Sequence, residues 1–398
     1  MDGIDLDPIA RLNRDLAKAA TTLGHHEARF LVDAYYLAQE NRIRAAHQVR
    51  TLGDAEEPHD VIGWYLQQSE ALEGQIKRAL KRYVESRPVG EWMLSITGVG
   101  PVIAAGMMAH IDIRKAPAAG HIHRFAGLDP SVQWHSSKAV DELVDGARKV
   151  EETDWAALLW VCSALNIKPI NVLKNAGVIA EVPTPEDAWT DLEASEFLVD
   201  REQFPGIARL SYDNIIAEQL DIEQAARFYE QTFGEVDWQK IKPAIKRRPW
   251  NAQLKRLCWL LGESFTKTSS NENSFYGPIY RERKAQEIAA NQQGAFADQA
   301  KATLEAKNIG KTTDAYKAYS EGRLPDARIH LRAQRVAVKL FLSHLHEVMY
   351  FVEFGQPAPR PYALEHLGHA HYTAPPNMEL IPGLAEAIAK REHHVGRS

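Results

Sequence analysis

The first residues able to do chemistry are Thr97-Gly-Val-Gly-Pro-Val102, and that chemistry is anion capture by backbone amides. Gly98 and Gly100 permit a tight turn and close backbone approach, and Pro101 suits the first position of a following helix. A helix start leaves amides free, and such amides hold a phosphate while fixing a nucleic-acid strand without reading its bases. Thr97, Gly98, Val99, Gly100 and Val102 are the candidate DNA-binding residues of this corner. A glycine-capped turn between two helices, with no ligand, would read the same way. Charge for a polyanion would come from Arg247, Arg248, Lys255, Arg281 and Lys284. They lie between Lys240 and Lys284, where 11 bases face three acids; between Glu186 and Asp237 the balance is 14 acids against three bases. The net charge of −6 argues against wholesale coating of nucleic acid, whereas this segregation fits one polyanion-facing surface.

Other chemistry-bearing residues are weaker. His366, His369 and His371, with His344 and His346 upstream, offer imidazole nitrogens, but no cysteine or acid joins them at metal-ligand spacing, so no metal site is assigned. Gly310-Lys311-Thr312 lacks the upstream glycine of a phosphate loop, since position 305 is Glu. Cys162 and Cys258 sit far apart among apolar neighbours and read as buried free thiols.

The elements that must position these residues read as helices. Residues 8–52 are rich in alanine and charge without an internal proline after Pro8, and predict one or two long helices. Ile62, Tyr65, Ser69, Leu72, Ile76, Ala79 and Tyr83 recur at three- and four-residue steps, a coiled-coil seam that could pair within the chain or with a second copy. Leu254, Leu257, Cys258, Leu261 and Phe265 form one apolar helix face, and Arg328, Arg332, Arg335 and Lys339 line one side of a later amphipathic helix. No apolar run approaches the ~20 residues of a membrane span, and Met1 to Asp7 is acidic where a signal peptide is basic. The expectation is a cytoplasmic protein.

Taken in order, Leu94–Gly106, Arg124-Phe-Ala-Gly-Leu-Asp-Pro130, Arg247-Arg-Pro-Trp-Asn251 with the helix it opens, Tyr280-Arg-Glu-Arg-Lys284 and the helix from Ala327 to Tyr350 resemble the C-terminal half of Piv-type DNA invertases and related insertion-sequence transposases. The resemblance covers about residues 88–130 and 245–355. It implies a helix-hairpin-helix DNA-binding domain in a recombinase of mobile DNA, guided in some members by a structured RNA, and dimerised through helices just before that domain.

Two departures bear on catalysis. Family enzymes carry an N-terminal nuclease domain whose four acids hold Mg²⁺; Asp5 and Asp7 resemble its first acidic strand, but no alternating sheet pattern follows. Magnesium would enter only with a nuclease activity, and no other cofactor is implied. Family enzymes also place a nucleophilic serine after the Gly-Leu-x-Pro turn; Ser136 and Ser137 stand at about that distance beside His135, without the usual following glycine. They are the candidate catalytic residues.

The expected architecture is all-α: a helical, coiled-coil-like region over 1–87, a first half of the transposase-like domain over 88–137, an acidic helical insertion over 138–240, its second half over 241–356, and a Pro/His-rich, partly extended tail over 357–398. Three functions fit: a DNA-binding transposase or invertase, a non-catalytic DNA-binding or architectural derivative, and a helical assembly protein without nucleic acid. A homodimer is expected and a membrane partner is not.

Overall fold

The computed structural model describes residues 14–55, 59–131, 134–197, 211–360 and 372–395. All regular structure among them is helical. In chain order the helices are α1 (Arg14–Ala19), α2 (His25–Asp54), α3 (Asp60–Glu85), α4 (Pro88–Leu94), α5 (Pro101–His110), α6 (Ala119–Phe125), α7 (Ser137–Val150), α8 (Asp154–Ala164), α9 (Pro169–Ala176), α10 (Pro185–Glu193), α11 (Tyr212–Gln219), α12 (Ile222–Phe233), α13 (Trp238–Lys246), α14 (Ala252–Lys267), α15 (Tyr276–Gln292), α16 (Ala297–Ala306), α17 (Asp314–Ser320), α18 (Asp326–Phe354) and α19 (Leu384–Val395). The all-α expectation holds. No single helix is long and apolar enough to cross a membrane among the described residues.

The chain forms two compact units, Met1–Asp129 with Trp250–Ser398, and Pro130–Pro249. In the first, α5 is the buried centre. Its Ala104, Ala105, Met107 and Ala109 are fully buried, because small and apolar residues on every face let helices approach from all sides. The α14 face of Leu254, Leu257, Cys258, Leu261 and Phe265 meets the same core, joined by Ala337, Phe341, Leu342 and Leu345 of α18. Each fully buried leucine or phenylalanine contributes roughly 1.5–3 kcal/mol.

The seam on α3 is covered largely within the chain. Ser69, Ala79 and Tyr83 are buried and Ile76 packs on the core, while Glu73 takes the Arg42 guanidinium of α2 and a 3.3 Å hydrogen bond from Gln39. Apolar residues left outside the pair include Phe30 and Leu37 on α2, and Tyr65 and Leu72 on α3. The tail folds back: Ile381, Leu384 and Ile388 enter the first unit's core, and Arg391 pairs with Glu347 of α18 at 2.6 Å. Residues 361–371, with His366, His369 and His371, and residues 1–13, with Asp5 and Asp7, lie outside the described residues.

The second unit has its own core around Trp155, Val161, Trp189, Phe228 and Tyr229. Trp155 stacks on Tyr229 with ring centroids 5.3 Å apart. Asp213 is buried there and accepts from the Tyr229 hydroxyl at 2.7 Å and the Ile170 amide at 3.1 Å; burial raises its carboxyl above the usual range. Thr184 and Asp221 cap α10 and α12 through reciprocal capping boxes. Lys242 and Lys246 of α13 reach Asp145 and Asp141 of α7, both at 2.6 Å.

Candidate nucleic-acid interface

The corner between α4 and α5 is built as its residue types require. Gly98 adopts a φ of +100°, a value that side-chain-bearing residues rarely take. The Val99 amide closes the turn on the Ile96 carbonyl at 2.9 Å. Gly100 sits at the α5 N-cap with ordinary extended dihedrals, and Pro101 takes the first helical position. The Ala104 amide bonds the Gly100 carbonyl at 3.0 Å, so the amides of Val102 and Ile103 precede that bond, as expected at a helix start. Val99 and Val102 turn their side chains into the core.

The rest of α5 runs antiparallel along α14. Ser264 Oγ donates to the Gly98 carbonyl at 2.6 Å; farther on, a Cβ on Gly106 would lie 2.5 Å from Leu257 Cδ1; at the far end Asn251 Nδ2 lies 3.3 Å from His110 Nδ1. Thr97 Oγ1 also donates, to the Asn273 carbonyl at 3.1 Å. The corner is therefore fastened to the C-terminal end of α14.

This placement separates the corner from Lys255. Lys255 stands nine residues before Ser264, roughly 14 Å along the helix at 1.5 Å per residue, with its Nζ 3.9 Å over the Trp250 ring. Trp250 covers Gly127, whose φ is +66° and where a Cβ would come within 2.8 Å of the indole. The Asn251 amide bonds the Phe125 carbonyl at 2.8 Å, and its Oδ1 accepts from the Leu254 amide at 2.9 Å to cap α14. The Arg-Phe-Ala-Gly and Pro-Trp-Asn segments are thus halves of one structural joint.

The other candidates fall in different places. Arg247 and Arg248 belong to the second unit, where Arg247 donates to Asn175 Oδ1 at 3.2 Å and Arg248 stacks 4.9 Å over Trp134. Ser136 caps α7, its Oγ accepting from the Ala139 amide at 3.2 Å, and Ser137 is the first residue of that helix. His344 and His346 are buried, with His344 between the Tyr276 hydroxyl at 2.7 Å and the Thr373 carbonyl at 2.8 Å, and His346 on the Ala116 carbonyl at 2.8 Å. Arg281 and Lys284 lie on α15, Lys284 Nζ being 6.0 Å from the Tyr280 ring. Three bases of the 240–284 segment, Lys240, Lys242 and Lys246, neutralise acids of the second unit.

A basic face that the site residues read from sequence only touch lies along α15 and α18. Arg328, Arg332, Arg335 and Lys339 occupy one side of α18 at four-, three- and four-residue steps. Partial burial and the like charges of Arg332 and Arg328 hold the Arg335 guanidinium below its usual pKa. Arg283 of α15 joins Arg332 through the buried Glu287. Nearby, Tyr280 Oη lies 2.7 Å from His330 Nδ1, and His330 Nε2 lies 3.7 Å from Glu263. With Tyr280 buried, this array pins α14, α15 and α18 together rather than offering a nucleophile. The Glu287 ion pair with Arg332 was not legible in the sequence, because only the fold brings the two together across 45 residues.

Among the described residues no group of His, Cys, Asp and Glu is arranged to hold a metal ion. No curated protein and no solved structure matches the chain. Residues 90–142, which hold the glycine corner, α5, α6 and the start of α7, match the profile of the Transposase IS116/IS110/IS902 family, so the corner lies within the matched segment.

Proposed function

We propose that this chain is a DNA-binding protein of transposition or site-specific recombination, working as a homodimer. The family match over residues 90–142 carries the reading. The free helix start at Val102 and Ile103 and the cationic line on α18 supply the physical means, one by amide dipoles and the other by long-range attraction. The test is anisotropy titration of two unrelated 30-base-pair duplexes against salt. Comparable affinity for both, with log K falling linearly in log salt, is expected of backbone-directed binding; no binding to either duplex at low salt would sink the reading.

A non-catalytic role is the second reading, and Ser136 favours it. Its hydroxyl is engaged in capping α7, and replacement of such a cap costs about 1 kcal/mol of stability. If Ser136 is a strand nucleophile, plasmid nicking with Mg²⁺ will disappear in Ser136→Ala at temperatures where that variant is folded. A guiding structured RNA would be recovered as nucleic acid co-purifying with the intact chain.

The dimer is assigned to the uncovered apolar residues of the α2–α3 pair. Phe30 and Leu37 are 71% and 63% exposed and stand one heptad apart, the spacing that keeps two residues on one helical seam. Phe30→Glu with Leu37→Glu is expected to shift sedimentation toward monomer with the helical circular-dichroism signal retained. A monomeric unmodified protein at tens of micromolar would leave these residues without that role.

A further inference from the structure

We propose that Glu287 is a positioning residue that presets Arg283 and Arg332 as a paired seat for the phosphodiester oxygens of a DNA strand. The inference rests on the DNA-binding reading and deepens it, since it names which cations on the basic face are built rather than merely present. Glu287 is 3% exposed, and a carboxylate so buried is tolerated only when cations and hydrogen bonds satisfy it. Arg283 gives Glu287 Oε1 two bonds, from Nε at 3.0 Å and Nη2 at 2.7 Å. Arg332 reaches across from α18 with Nε 2.7 Å from Oε2 and Nη2 3.4 Å from Oε1.

Both guanidiniums thus spend the same edge, Nε with Nη2, on one carboxylate. Their Nη2 atoms share Oε1 as neighbour, so they converge on one small patch, and the Nη1 ends are left over. The two side chains remain 41% and 33% exposed although their carboxylate partner is sealed. Phe296 fixes the plane of Arg332 further, with Cζ 4.5 Å over its ring. Long side chains normally lose rotamer freedom on binding; here the bonds to Glu287 already restrict both.

Charge on the patch is unbalanced in the direction a polyanion requires. Two guanidiniums meet one carboxylate, and Arg328 and Arg335 stand about one turn away on either side of Arg332. Among the described residues no carboxylate pairs with Arg328, Arg335, Arg281 or Lys284 within ion-pair distance. If the cluster served only to join α15 to α18, one arginine would neutralise Glu287. The surplus cation and the fixed forks suit phosphate oxygens, which guanidinium recognises with two parallel bonds.

The experiment is duplex anisotropy with the full chain across a salt series, with the unmodified protein, Glu287→Gln, Arg283→Gln, Arg332→Gln and Arg283→Lys. Net charge and positioning give opposite signs for Glu287→Gln. Removing a negative charge beside DNA strengthens binding if only charge matters; it weakens binding if the carboxylate aligns the forks, and a loss of about tenfold is expected, the worth of one charge-assisted hydrogen bond. Arg283→Gln and Arg332→Gln are each expected to lower the slope of log K against log salt by about 0.9. Arg283→Lys preserves charge on an exposed helix face, so it keeps the slope while losing affinity. It carries the test if thermal melting shows that Glu287→Gln is unfolded at the assay temperature. Unchanged or tighter binding in a folded Glu287→Gln, or in Arg283→Lys, overturns the positioning role. Unchanged slopes in both glutamine variants of the arginines overturn the seat while DNA binding itself stands, whereas an unmodified chain that binds no duplex overturns both.

Discussion

Acidification from pH 7 to pH 5 is expected to destabilise the first unit by about 2 kcal/mol through His344 alone. Burial lowers this imidazole to about 4, against about 6.5 for an unfolded chain. A histidine with a depressed folded pKa is neutral in the fold and takes a proton first in the unfolded state, so stability is complete above pH 6.5 and falls as pH descends from 6.5 toward 4. Its surroundings explain the shift. Nδ1 accepts from the Tyr276 hydroxyl, and burial raises that phenol well above its ordinary pKa, while Nε2 donates to the Thr373 carbonyl. Among the described residues no carboxylate partners the ring, so the proton acquires no compensating charge from them.

Three further histidines act in the same direction. Burial, with the Lys339 charge second, lowers His123 to about 4, and burial also lowers His110 and His346. Glu347 opposes them, because burial raises its carboxyl despite Arg391 and Tyr372, and relief of that charge favours the fold in acid. Comparing variants removes the ambiguity. His344→Asn should melt lower than the unmodified chain at pH 7, and its melting temperature should fall less between pH 7 and pH 5. Equal falls in the two proteins would show that His344 does not titrate with folding.

What the sequence disclosed, and what it withheld, follows the range of the interactions. The helical periods of Ile62–Tyr83 and Leu254–Phe265 are local, and both segments are helices; the Leu254–Phe265 stripe meets the core whole, the Ile62–Tyr83 seam only through Ile76 and Tyr83. Gly106 of α5 lies against Leu257 of α14, about 150 residues away, a contact that no local pattern announces. Cys162 and Cys258 are buried free thiols, which apolar neighbours alone imply. The basic segment is the reverse case. Its 11 bases are adjacent in sequence, yet the fold sends Lys240, Lys242, Lys246, Arg247 and Arg248 to the second unit and the others to the first. Charge runs carry no three-dimensional address. The C-terminal helix had a usable signal, Ile381, Leu384 and Ile388 at three- and four-residue steps, overshadowed by the prolines and histidines before it.

The two glycines of the corner are expected to respond very differently to the same substitution. Gly98 combines a φ of +100° with near neighbours on its vacant side: an added Cβ would lie 3.1 Å from Phe265 Cδ1 and from Thr268 Oγ1, and 3.4 Å from Ser264 Oγ. A branched residue there incurs backbone strain of roughly 1–3 kcal/mol and overpacking of similar size, so Gly98→Val should destabilise the first unit by about 3 kcal/mol or more. Any accompanying loss of DNA affinity would then report unfolding. Gly100 has no heavy atom within 4 Å of the Cβ position, and its φ of −92° is open to any residue. Gly100→Val should therefore forfeit only the N-cap preference, about 1 kcal/mol, while placing two methyl groups beside the amides of Val102 and Ile103. Thermal melting separates the two variants, and duplex titration then reads Gly100→Val alone. Because an amide-held phosphate is contacted without regard to base sequence, its affinity should fall equally on unrelated duplexes. Full affinity in that folded variant would make the corner a structural fastening of α5 to α14, and would leave the cationic line of α15 and α18 to carry the strand.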